Sequence, residues 1–244
     1  MAASVSVASF LGLPAELRNQ IYIEVFDRPT STSVNRSKRP PSENLQLLLA
    51  CRQVYNEASL LAFSLTEFAT SCPATCDLFP RLSTLQPPQI ESVRSILLTA
   101  KISQLRVMHE SWLGYPFGVA DLNLDSLAII PHCPDTHYDA YAEVANLSQS
   151  HTLAHILAET LAKPRYGLKQ VKRILVLNDN SFSEDLFQLV YRSTVYRLWK
   201  RGDSGMRFYE YEGGKGFEVV LEGLDDRKLR TIDEEIKRLI KTPD

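Results

Sequence analysis

The chain has 244 residues, enough for one to two domains at roughly 150 residues each and for a core that needs no disulfide or metal staple. Hydrophobic residues make up 44% and charged residues 23%, which excludes a disordered or low-complexity chain. The formal charge is −2, so no global field points to nucleic acid or a membrane, although residues 163–244 carry 17 basic and 14 acidic side chains against 10 and 15 in residues 1–162.

The first ten residues are weakly apolar and hold no Lys or Arg, unlike a secretory signal, which starts with a charged segment. No apolar run reaches the ~20 residues that span a bilayer. Four cysteines in a chain of this length suit a reduced compartment, so an intracellular protein, cytoplasmic or nuclear, is expected.

The spacing predicts a first helix from Pro14 to Phe26, with Pro14 at a first-turn position and Glu16 near the positive helix end. Leu13, Leu17, Ile21 and Val25 recur every four residues and define one apolar face. A polar, Pro- and Ser-rich loop follows over residues 27–43 and is expected to be mobile, with Arg36, Lys38 and Arg39 as its basic group. Ser42 can cap a second helix running to about Leu65. A third helix is expected from Pro73, stopped by Pro87-Pro88.

The pattern then changes. Residues 93–99, 126–130 and 171–177 read as strands, with a helix over 146–162 between the last two. Strands separated by helices imply βα units and a mostly parallel sheet. Ser183 caps a helix to about Lys200, residues 207–211 and 217–221 flank a Gly-rich hairpin turn, and a charged helix over 225–241 closes the chain. The expected fold is α+β or α/β: a helical module over residues 10–70, then a small α/β module over 71–244 with a C-terminal hairpin and helix.

Catalytic signals are weak. Gly202-Asp-Ser-Gly205 lacks the histidine setting of a serine protease, and Gly213-Gly-Lys-Gly216 has no upstream Gly or following Ser/Thr for a phosphate loop. Zinc is the one metal the residue types suit: Cys72, Cys76, His132, Cys133 and His137 are thiolate and imidazole donors, but without C-x-x-C spacing. C-x-x-x-C on a half-buried helix, with Cys as a small apolar residue, explains the first pair equally. His109, His151 and His155 show no partner in the sequence. No enzyme activity and no cofactor are expected.

Two blocks carry a more specific signal. Leu11-Gly-Leu-Pro-Ala-Glu-Leu-Arg-Asn-Gln-Ile-Tyr22 is followed by Leu47-Leu-Leu-Ala-Cys-Arg-Gln-Val-Tyr-Asn-Glu-Ala58. Together, over residues 10–68, they resemble the F-box-like domain abundant in filamentous fungi, which pairs L-P-x-E-(L/I)-R-x-x-I-Y with C-R-x-x-Y-x-E-A. The loop 27–44 is longer than the link in ordinary F-boxes, and Tyr55 stands where they carry Trp. The resemblance implies a substrate receptor or adaptor of a cullin–RING ubiquitin ligase that docks a Skp-type adaptor protein through Leu13, Pro14, Leu17 and Ile21. The α/β module would hold a protein substrate and is weakly similar to degenerate leucine-rich repeats. The alternatives are an F-box-like interaction protein without a ligase role and, less favoured, a zinc-dependent enzyme. Within the two blocks, Arg52 and Glu57 are expected to be structural, Arg52 by capping carbonyls at the end of the first helix, and Ile21 and Val25 to face the core.

Overall fold

In the computed structural model the first turn of chain obeys its proline. Pro14 precedes α1 (Ala15–Phe26) and its carbonyl accepts from the amides of Leu17 and Arg18, so the helix starts where the fixed proline φ leads into it. The structure describes residues 9–26, 41–71, 82, 84–112, 115–132, 152–162, 170–202, 205–211, 215–221 and 229–241.

The long helix expected over 42–65 is two pieces. A 3₁₀ segment, Pro41–Leu49, ends at an extended Cys51 (φ −163°, ψ 165°), and α2 (Arg52–Leu65) starts afresh. The break lets Leu48 of the first piece and Val54, Ala58 and Ala62 of α2 face one small core with Tyr22 and Phe26 of α1. One residue, Thr66, then links α2 to β1 (Glu67–Ser71), a strand that its mixed sequence did not announce. Pro87-Pro88 also start a helix: α3 (Pro87–Ser92) uses both prolines in its first turn, where no amide donor is needed, and helical Leu82 lies ahead of the turn at 84–85. The Pro73 start and its C-x-x-x-C stretch lie outside the described residues.

β2 (Ser95–Lys101) runs straight into α4 (Ile102–Ser111), also not foreseen, with the Gln104 side chain accepting from the Lys101 amide at 2.8 Å. β3 (Leu124–His132), α5 (Leu153–Leu161), β4 (Val171–Leu177) and α6 (Glu184–Lys200) follow. Thr152 and Ser183 cap α5 and α6 by accepting from the amides of His155 and Leu186. β5 (Arg207–Tyr211) and β6 (Gly216–Val220) form the hairpin, and β7 (Arg230–Thr231) leads into α7 (Ile232–Lys241).

The seven strands form one mixed sheet in the order β1-β2-β3-β4-β6-β5-β7. β1 to β4 are parallel and lie in chain order, whereas β6, β5 and β7 join antiparallel. The molecule is therefore an α+β fold with N-terminal helices and C-terminal strands and helix. Crossovers of one hand between strands that advance in one direction bring their helices to one face. The large core agrees, since Ile96, Leu127, Ile174, Val219 and Phe208 pack with residues of α4, α5, α6 and α7. α2 serves both cores, because Phe63 turns from the small core to stack on Phe68 of β1.

Candidate functional site

α1 carries two apolar stripes, and only one can be buried. Tyr22 and Phe26 are 0% and 1% exposed, while Leu17, Ile21 and Val25 stand 46%, 39% and 36% exposed on the adjacent side of the helix. Ile21 and Val25, expected to face the core, thus lie outside it. The rings explain the choice: Tyr22 meets Phe10 edge-on at 5.6 Å and stacks with Phe26 at 6.4 Å, burying more area than the aliphatic stripe could.

Tyr22 also has a polar reason to turn inward. Its hydroxyl donates to Glu57 Oε2 at 3.3 Å on α2. Arg18, one turn earlier, forks onto the same carboxylate with Nε at 2.9 Å from Oε2 and Nη2 at 2.8 Å from Oε1, and Gln53 donates to Oε1 at 2.9 Å. The other Arg18 amine donates to the carbonyls of Leu13 and Leu11, which tethers the segment before the helix. The two sequence blocks therefore meet at one carboxylate. Hydrogen bonds from Arg18 and then Gln53 hold the Glu57 carboxyl below its usual range. The bond to Glu57 likewise keeps Arg18 charged, and burial, reinforced by the Glu57 charge, pushes the Tyr22 hydroxyl up.

Carbonyl capping at α1, expected of Arg52, belongs to Arg18 at the opposite end of that helix; Arg52 is exposed in the first turn of α2. Tyr55 instead reaches the other way. Its hydroxyl accepts from the buried Gln89 Nε2 at 2.7 Å, which ties α2 to α3.

The residues foreseen as a docking face are thus distributed as follows. Leu13 is half-buried beneath Arg18, Pro14 is exposed ahead of α1, and Leu17 and Ile21 project from the exposed stripe that Val25 continues. Cys72, Cys76, Cys133 and His137 lie outside the described residues, as do the basic residues of the loop. His132 sits 3.6 Å from Asp179, and among the described residues no group of three or more His, Cys, Asp and Glu is arranged to hold a metal. His155, without a partner in the sequence, is 3.6 Å from Glu159 one turn on and contacts Arg197 of α6. A cavity of about 240 Å³ between α2, α3 and the β1 edge is lined by Phe63, Phe68, Leu82, Leu85, Val93 and Ile96, with Ala69 and Thr70, and presents no titratable side chain among the described residues. No described helix is long and apolar enough to cross a membrane.

No protein-family profile matches the chain, and no curated protein or solved structure is significantly similar to it. What the geometry defines is an apolar helix face held outward by an ion-paired hinge between two sequence blocks.

Proposed function

We propose that residues 10–68 form an F-box-like docking module and that the chain is a substrate receptor of a cullin–RING ubiquitin ligase, a non-enzymatic protein of the cell interior. The carrying observation is the outward stripe Leu17, Ile21 and Val25, preceded by exposed Pro14. Three aliphatic residues at i, i+4 and i+8 on one helix are the kind of face that helix-in-groove recognition uses. A face of this kind would be expected to bury itself were its helix free to roll. Arg18 and Tyr22, fastened to Glu57, prevent that roll. In this reading residues 71–244, with their parallel strands in chain order, hold the protein substrate.

The test is recovery of a Skp-type adaptor by the full chain, compared with Leu17→Glu and Ile21→Glu variants whose melting temperatures are measured in parallel. A charge at an interface of this size is expected to weaken binding at least tenfold while the fold is kept. Wild-type protein that recovers no adaptor overturns the ligase role and leaves an F-box-like interaction protein.

A further inference from the structure

Side chains alternate along a strand, so residues in register on neighbouring strands form rows on one face of the sheet. One such row runs Ser95, Ser126, Arg173, Val220 and Arg207 across β2, β3, β4, β6 and β5. From Ser126 and Arg173 onward it lies opposite the helix-side core, although Leu124 and Val171 at the strand starts join that core. The alternate positions Ile96, Leu127, Ile174, Val219 and Phe208 belong to the helix-side core, whereas Val220, although buried, does not. Side-chain contacts agree with the assignment: Arg173 and Tyr211 both approach Glu218 on this face, while Glu210, one position along from Tyr211, meets Arg238 of α7.

The row is cationic. The Arg173 side chain is 47% exposed and stands 3.8 Å from Glu218, beyond hydrogen-bond reach. Glu218 is itself only 1% exposed, and one of its oxygens already accepts from Tyr211 at 2.8 Å. Arg207 is exposed and has no ion pair among the described residues. Among the described residues the only acid in the row is Glu67 of β1, in register with Ser95 and three strands from Arg173. Val220, in register with both arginines, is 6% exposed.

We propose that this row is a docking surface for an acidic, extended peptide segment of a partner protein. Arg173 and Arg207 flank β6, so their Cα atoms lie about 10 Å apart, twice the ~4.8 Å strand spacing. A peptide in the extended polyproline II conformation advances ~3.1 Å per residue with three residues per turn, so carboxylates at positions i and i+3 lie on one side and stand about 9 Å apart, close to that separation. Each guanidinium presents a planar fork that matches a carboxylate, and Ser126 offers a hydroxyl in register beside Arg173. Charge complementarity selects the occupant, since among the described residues two exposed cations here face one buried acid, Glu218. The surface is independent of the adaptor face, which lies on α1.

The experiment uses the full chain and the fluorescein-labelled peptide Glu-Ser-Ser-Glu-Ser-Ser-Glu, with binding read by fluorescence anisotropy at low and moderate salt. Salt-sensitive binding is expected, weakened at least tenfold in the Arg173→Gln/Arg207→Gln double variant, which loses the Arg173–Glu218 ion pair and is therefore compared at a temperature where its own melt shows it folded. The Lys200→Gln/Lys241→Gln variant, which removes two exposed cations elsewhere, keeps the wild-type affinity. The Arg173→Lys/Arg207→Lys variant, a second probe that keeps the charge but not the planar fork, binds more weakly than wild type and more tightly than the glutamine variant. Absence of binding by the wild type, or equal losses in the arginine and lysine-control variants, overturns the proposal. Tighter, arginine-dependent binding of an oligothymidylate than of the peptide overturns it too, in favour of a nucleic-acid partner.

Discussion

Arg18 and Glu57, 39 residues apart, form a two-pronged ion pair at 2.9 and 2.8 Å that joins α1 to α2. Each residue comes from a different sequence block, and Tyr22 closes the contact from below. The pair sets the roll of α1 about its own axis and so decides which of its apolar stripes meets solvent.

That division of α1 predicts opposite outcomes for neighbours. Tyr22→Ala or Phe26→Ala should cost about 3–5 kcal/mol of stability, the usual range for a deleted core ring. Ile21→Ala and Val25→Ala should change stability by no more than about 1 kcal/mol, because their side chains are partly solvated already. Urea unfolding of the four variants measures this directly, and a large loss at Ile21 would mean the stripe is core.

The ion pair makes a pH prediction. Hydrogen bonds lower the Glu57 carboxyl in the folded protein, so its contribution is fully present above the ordinary carboxylate pKa of about 4.3 and is lost as pH falls through the lower folded value. Glu57→Gln should therefore be less stable than wild type at pH 7, with the gap closing on acidification below about pH 4. Equilibrium unfolding at several pH values checks the trend. A gap constant with pH would assign the contact to packing alone.

Gly216 predicts a steric limit in the hairpin. Its φ is +152°, and a Cβ there would lie 2.5 Å from the Val176 carbonyl oxygen on β4. Gly216→Ala should cost at least ~2 kcal/mol through strain and the forced shift of β6 from β4. Gly202→Ala, with positive φ but no atom within 4 Å of the added carbon, should cost less, and thermal melts of the two variants test the order.

The C-terminal helix is locked by a buried acid. Glu235 of α7 is fully buried and accepts from Arg230 and from Arg238, the latter at 2.7 Å through Nε, while Arg238 also meets Glu210 of β5. Arg238→Met should cost ~2–3 kcal/mol, below the ~3–5 of a fully broken buried pair because Arg230 remains. Hydrogen exchange should then rise first in α7. Unchanged exchange there would show that the apolar contacts of Ile232 and Ile236 suffice.

Much of the architecture was legible in the sequence for local reasons. Val171–Leu177, Ser183 as a helix cap and the hairpin around residues 207–221 follow from alternation, capping chemistry and glycine placement, which act within a few residues. β1 was not legible, because Glu67–Ser71 holds one large apolar residue and becomes a strand through its pairing with β2. That Pro87-Pro88 open α3 as well as following helical Leu82 was not legible, since a proline pair marks a helix boundary without saying on which side a helix lies.

The sequence by itself determined that α1 exists, that it carries Leu17, Ile21 and Val25 in one stripe, and that its block is followed by a second with a glutamate. Only the tertiary structure decided that this stripe faces outward. Periodicity records where apolar side chains recur on a helix but is silent on which of two stripes is buried. That choice went to Tyr22 and Phe26, whose rings fill the small core while the tyrosine hydroxyl and Arg18 find Glu57. The arginine row is of the same kind: Arg173 and Arg207 are 34 positions apart, and they share a face because β6 inserts between β4 and β5 with a register that only strand pairing sets.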